Sequence, residues 1–295
     1  VFGLYYYSVN WIIAMLYVPL TILFYMDRFI LILHNISHRP LFRKKYRILN
    51  YYIVWILGPL FGESPETYFV HHIGMHHVEA NLEDDLSSTM KYQRDSFTAW
   101  LTYFLQFFFG VFVNLLLYMS KKGRRKLLLR LIAGELAFFL FVAFAYVINP
   151  LATLVVFILP FVFCRLAMMA GNWGQHAFID PSRPDDQFVS AITVINCRYN
   201  RRSFNDGYHI GHHRQPRCHW TDLPCEFQQN VELYSNRGAI IFAGIDFIMV
   251  WIFLMFKRYD LLARHFVELQ TPARSTQEVI ALLKTRTMAM PVTTK

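Results

Sequence analysis

The chain has 295 residues, of which 55% are hydrophobic and 17% aromatic, with a mean hydropathy of +0.28 and a formal net charge of +9 at pH 7. A soluble globular domain is roughly 45–50% apolar, so this composition predicts an integral membrane protein. The four cysteines, Cys164, Cys197, Cys218 and Cys225, form no Cys-x-x-Cys pair, which excludes a zinc ribbon and a disulfide scaffold and predicts reduced thiols.

No Ser/Pro/Gly-rich linker, low-complexity run or internal repeat divides the sequence, so residues 1–295 are expected to form a single domain. The chain opens with Val rather than Met and shows no cleavable signal peptide, which predicts a trimmed start.

Taken in order, residues 9–26 carry no charge and match one bilayer crossing of roughly 20 residues. His34 and His38 follow as H-x-x-x-H. Residues 48–62 are short for a span and contain Gly58 and Pro59, so they are expected to lie at the interface or dip into it. "FVHHIGMHH", residues 69–77, then brings His71, His72, His76 and His77 together. Residues 97–119 are long enough to cross, but a crossing would strand the 121–126 basic cluster on the far side; an in-plane or re-entrant helix bent at Gly110 is expected. Residues 131–148 and 151–169 form a helical hairpin whose one charge is Glu135 and whose turn is Asn149-Pro150. "GNWGQH" places Asn172 and His176 at its end, and His209, His212 and His213 follow as H-x-x-H-H. Residues 238–256, with basic flanks and Asp246 in the middle, are expected to form an in-plane helix.

Basic clusters at 43–47, 121–126, 198–202 and 257–258, and their absence from the Asn149-Pro150 turn, put the clusters in the cytosol and the turn on the opposite side. They are first of all topology signals and headgroup contacts, with docking of an acidic electron donor as a second role. The fold class expected is an all-α membrane protein in which transmembrane helices carry a cytosolic helical cap with a histidine-rich dimetal site.

On a helix, positions i and i+4 lie about 40° apart and i, i+3, i+4 share a face, so each histidine cluster is expected to aim its ring nitrogens at one point. Neutral imidazole is a common ligand of iron, zinc and copper. His34, His38, His72, His76, His77, His176, His209, His212 and His213 are too many for one ion and suit two. His219 and His265 are read as ordinary polar residues, and "FLQFFFG" as lipid-facing or core. A histidine-rich metal transporter is disfavoured because the histidines sit at span ends, with almost no polar residue inside 9–26 or the hairpin to line a path. A membrane zinc hydrolase is disfavoured because H-E-x-x-H is absent.

In their order and spacing these elements resemble the three histidine boxes of membrane fatty acid desaturases and their hydroxylase relatives. "NDGYHIGHHRQPRCHWTDLP", residues 205–224, is similar to the family's last-box segment, and "GNWGQH" to its Asn-x-x-x-His element at the end of the last span. The resemblance implies that the nine histidines ligate two ferrous ions, that Asn172 acts through a bound water, and that no catalytic side chain is needed beyond the ligands. O2 would be the co-substrate. The substrate would be a fatty acyl lipid or acyl thioester lying in a groove between the helices and the cap, and the product a cis double bond. An alternative within the same chemistry is a diiron hydroxylase or ketolase on a lipid, alkane or carotenoid. The chain departs from the pattern in its first box, which has three intervening residues as in acyl-lipid desaturases, and in its second, which has three where two are commoner.

With no His-Pro-Gly-Gly element, a separate donor such as cytochrome b5 or a ferredoxin is expected, and no nucleic-acid partner. The setting expected is a multi-pass protein of the endoplasmic reticulum or a bacterial inner membrane. Outer partners are needed to orient the rings, and Glu79, Asp84, Asp85, Asp206 and Asp222 are the candidates. His71 is surplus to the family's three-histidine second box. It projects about 140° from His76 on an α-helix, which makes it an outer or interfacial residue unless the chain unwinds at Gly74.

Overall fold

A computed structural model describes residues 1–6 and 10–290; Val9, the first residue of the 9–26 span, lies outside them. The chain is mostly helical and divides into two compact units, Val1–Met75 with Phe112–Met168, and His76–Val111 with Met169–Lys295. Among the described residues, four helices are long and apolar enough to cross a membrane: Trp11–His38, Phe97–Lys121, Arg125–Ile148 and Pro150–Gln175. A shorter apolar helix covers Ile48–Leu60. Phe97–Lys121 is continuous α-helix through Gly110. Among the described residues no disulfide joins the cysteines.

In the first unit, Trp11–His38 starts at Asn10, whose side chain accepts from the N–H groups of Ile12 and Ile13. It continues past residue 26, so His34 and His38 sit on its last turns. Pro19, which has no N–H to donate, immediately precedes a π-helical segment at Leu20–Tyr25. Arg125–Ile148 stops at Asn149, whose side chain caps the next helix by accepting from Ala152 N at 3.0 Å, with Pro150 in the first turn.

The residues that lead into the second histidine box are fastened to this hairpin by buried polar groups. Ser64 Oγ and Thr67 Oγ1 both donate to Glu135 Oε1 at 2.6 Å. Arg165 donates to Gly62 O at 2.8 Å and to Ser64 Oγ at 3.3 Å, with its guanidinium 3.5 Å above the Phe161 ring. Glu66, held at a left-handed φ of 68°, accepts from Trp55 Nε1 at 2.9 Å and pairs with Arg130. Gly134 lets the backbones touch, because a Cβ there would lie 1.7 Å from Pro65 O.

The second unit holds two parallel strands, Ile192–Ile195 and Ile240–Ala243, paired Ile192 to Ile240. Residues 238–256 are therefore not one helix, as the sequence led us to expect. The β-branched and aromatic run 240–242 pairs as a strand between Gly238 and Gly244, and only Phe247–Met255 is helical. Asp246 is its N-cap, accepting from Met249 N at 2.9 Å. Around the sheet a core gathers Phe178, Val194, Phe242, Val250, Leu262 and Leu283. Arg94, fully buried, donates to the carbonyls of Thr89, Met90, Tyr92, Ala177, Arg286 and Met288 at 2.7–3.2 Å. Burial pushes its guanidinium down to about 9.

Gly134→Ala is expected to destabilise the protein by about 1–3 kcal/mol through overpacking against residue 65. Gly171→Ala, where an added Cβ meets nothing within 4 Å, should be neutral or slightly stabilising. Thermal unfolding of the two variants in detergent checks this: equal midpoints would show that the helix can retreat from the turn at no cost.

Candidate metal centre

The first unit contributes three imidazoles. His34 and His38 lie one turn apart at the end of Trp11–His38, and His72 opens the segment His72–His76. Their donor nitrogens lie within 4.8 Å of one another. His38 Nε2 is 3.0 Å from His72 Nε2, and the Tyr68 ring stacks on His72 at 5.3 Å.

The second unit holds two gatherings. His76, His176 and His213, all buried, also place donor nitrogens within 4.8 Å. His209 joins them, with Nε2 3.3 Å from His176 Nε2 and its ring 4.4 Å from that of His213. His77 Nε2 lies 3.1 Å from His212 Nε2.

The second box does not aim at one point, as α-helical spacing led us to expect. His72 stands with His34 and His38, His76 with His176 and His213, and His77 with His212. The local reason is that His72–His76 is a π-helical turn between the α-helical Thr67–His71 and His77–Glu79. A π turn takes one more residue than an α turn, so angles counted at about 100° per residue do not hold across it. Gly74 sits inside it, where a Cβ would meet Met119 Cε at 2.8 Å. His71 belongs to neither metal-capable group, nor do His219, bonded to Thr221 Oγ1 at 2.7 Å, and His265, bonded to Ala243 O at 2.8 Å.

The outer atoms of two rings are fixed. His176 Nδ1 lies 2.8 Å from the carbonyl of Ser190, which can only accept, so Nδ1 carries the proton and Nε2 presents its lone pair to the cluster. His76 Nδ1 donates likewise to Asp85 Oδ2 at 2.7 Å, and Asp85 is itself steadied by Asn81 N, Ser87 N and Ser87 Oγ at 2.7–3.0 Å. Of the other candidate carboxylates, Asp206 accepts from Tyr199 Oη at 2.6 Å and Gln175 Nε2 at 3.1 Å. Glu79 is half-buried, and Asp84 and Asp222 are exposed. Asn172 donates to Ser87 O at 2.9 Å and to Tyr103 Oη at 2.7 Å, which ties it to the loop carrying Asp85. Ser190, Ser87 and Tyr103 were not legible in the sequence, because a carbonyl or hydroxyl partner far along the chain leaves no spacing signal.

Burial, followed by the neighbouring His76, pushes His176 down to about 4, and burial followed by the surrounding histidines pushes His213 well below its ordinary value. The rings are thus neutral near pH 7 and able to bind a cation. Nitrogens that share an ion through bonds of about 2.1 Å sit about 3.0–3.4 Å apart at angles of 90–109°, and the facing pairs stand at 3.0, 3.1 and 3.3 Å. His213 Nε2 is buried with no hydrogen-bond partner, as a nitrogen reserved for a metal would be. A donor set of imidazoles alone suits iron, zinc or copper.

Compared with known proteins, residues 10–244 match the family model described as fatty acid desaturase. No curated protein and no solved structure matches the chain.

His176 gives a pH dependence with a definite sign. Its folded value, about 4, lies below the ordinary 6.5, so on acidification the unfolded chain takes up the proton first. Metal-free protein is expected to keep its full stability above pH 6.5 and to lose it as pH falls from there towards 4. A thermal midpoint that stays flat over that interval would contradict the assignment.

Proposed function

Because the chain belongs to the fatty acid desaturase family, a family of oxidoreductases, we propose that it is an O2-dependent non-haem diiron enzyme that introduces a double bond into a fatty acyl chain. The observation that carries this reading is the convergence of mostly buried imidazoles in each unit, with no carboxylate in either metal-capable group among the described residues. His34, His38, His72, His76, His77, His176, His209, His212 and His213 are the proposed ligands of two irons. When bound, these would supply the activation of dioxygen needed to break an unactivated methylene C–H bond.

The protein's own residues orient, neutralise and exclude. Asp85 and the Ser190 carbonyl keep protons on the outer nitrogens of His76 and His176, so that the inner lone pairs stay turned inward. Asn172 is the proposed holder of a bound water. Burial of the His76–His176–His213 group excludes bulk water, which would otherwise compete for its donors. In the first unit a pocket of ≈ 290 Å³ is walled by Leu33, Ile36, Val54 and Phe69, with Arg47 and Arg130 as cationic groups, and it reaches Ser37 beside His38. Apolar walls with a few charged groups suit an acyl chain with a polar head.

Residues 9–26, 131–148 and 151–169 are the proposed crossings, with the basic clusters on the cytosolic side. Two electrons per turnover then come from a separate carrier, cytochrome b5 or a ferredoxin. A net charge of +9 favours association with an acidic carrier by electrostatic steering.

Expression in a host lacking the activity, followed by lipid profiling and metal analysis, tests the reading. A new unsaturated acyl chain and two irons per chain are expected. A hydroxylated product would move the protein to the hydroxylases, and a single zinc would remove it from this chemistry. Alanine at any of the nine histidines should abolish oxidation while membrane insertion persists, since spans and basic loops govern insertion. Donor-dependent turnover should fall as salt rises from roughly 0.05 to 0.5 M, where the Debye length shortens; salt-independent kinetics would point to an apolar donor contact.

A further inference from the structure

The third box rides on a helix of six residues, His209–Arg214, too short to be stable by itself. At about 100° per residue, His209, His212 and His213 project from one side, and Ile210, Gly211 and Arg214 from the other. The histidine side divides its rings between partners: His212 meets His77, while His209 and His213 stand with His76 and His176.

The opposite side rests on one carboxylate. Glu226, buried in the helix Leu223–Gln229, accepts on Oε1 from Arg214 Nη1 at 2.7 Å and from Asn230 Nδ2 at 3.3 Å, and on Oε2 from Tyr234 Oη at 2.9 Å. The Arg214 guanidinium lies 4.3 Å over the Phe188 ring, and Ile210 shares a core with Phe227 and Tyr234. Gly211 approaches so closely that a Cβ would lie 2.8 Å from Glu226 Oε2 and 3.2 Å from Tyr234 Oη.

We propose that Glu226 is a positioning residue for the third box: its carboxylate fixes the rotation of the His209–Arg214 helix about its own axis, and so the direction of all three imidazoles. No other side chain could replace it without loss. Glutamine would turn an amide N–H towards one of the two strong donors, and aspartate is a methylene too short to span from Arg214 to Tyr234. The consequence for metal binding rests on the function proposed above. Because the box serves two gatherings, loosening Glu226 should disturb both metals. Loosening Asp85, which bonds His76, should disturb one.

Two measurements on full-length protein in detergent test this. Amide hydrogen exchange of the metal-free protein reads the clamp directly, and Co(II) titration followed by absorbance reads its effect on the site. In Glu226→Ala, residues 209–215 should exchange at least about tenfold faster while 192–195 and 240–243 keep their protection. Both Co(II) sites should weaken about 10–100-fold, as losses of ligand-orienting partners usually do, with an altered ligand-field spectrum. Glu226→Gln should fall between Glu226→Ala and the unaltered protein, and Asp85→Asn should weaken a single site. Unchanged exchange at 209–215 in Glu226→Ala overturns the proposal, as does a loss confined to one Co(II) site. If the unaltered protein takes up no Co(II), the diiron reading fails instead, and the exchange comparison still decides whether Glu226 is the clamp.

Discussion

Imidazoles turned towards one another, most of them buried, are what the rest of this structure must keep in place. Imidazole Nε2 atoms that face one another at 3.0–3.3 Å either share one proton or oppose two lone pairs, and neither is a strong attraction. The rings therefore have to be held from behind. Asp85 on His76 and the Ser190 carbonyl on His176 do this through the outer nitrogens. The surroundings of Gly211 do it through the backbone of the third box.

The same logic extends outward to charged groups with no direct part in the site. Glu135 grips the turn that feeds the second box, and Arg94 gathers six carbonyls from the loop after that box, the end of the His176 helix and the C-terminal segment. Thr89, one of those loop residues, also donates to His176 O at 2.7 Å. Both side chains are satisfied by hydroxyls or peptide oxygens, which ties distant backbone to one point. Short helices of three to six residues, as at His77–Glu79 and His209–Arg214, can hold the box histidines in place because such anchors replace the stability that length would give.

How much of this could be read from the letters depended on range. The histidines announced themselves because i, i+3 and i+4 spacing is local, and the Asn149-Pro150 break is where one helix ends and the next is capped. The apolar runs marked helices of spanning length, although the first continues to His38. What stayed hidden was non-local. Ile240–Ala243 became a strand because residues 192–195 offer a partner, which no property of 240–243 alone reveals. Glu226, 13 or more residues beyond the third box, leaves no spacing signal, whereas Asp85, eight residues past His77, is bonded directly to His76. The division of the second box between different partners depends on a change of helix type that side-chain periodicity does not encode.

That change of helix type bears on how the spacing of a metal-binding motif drifts. The second box carries three residues between His72 and His76, and all three fall inside the π turn. A bulge of this kind stores an added residue as extra girth instead of passing it down the helix as a rotation of everything that follows. Motif spacing and ligand direction are thereby uncoupled at this point. An insertion that would scramble an ordinary helix becomes a local swelling, and a box can gain a residue while its rings keep their directions.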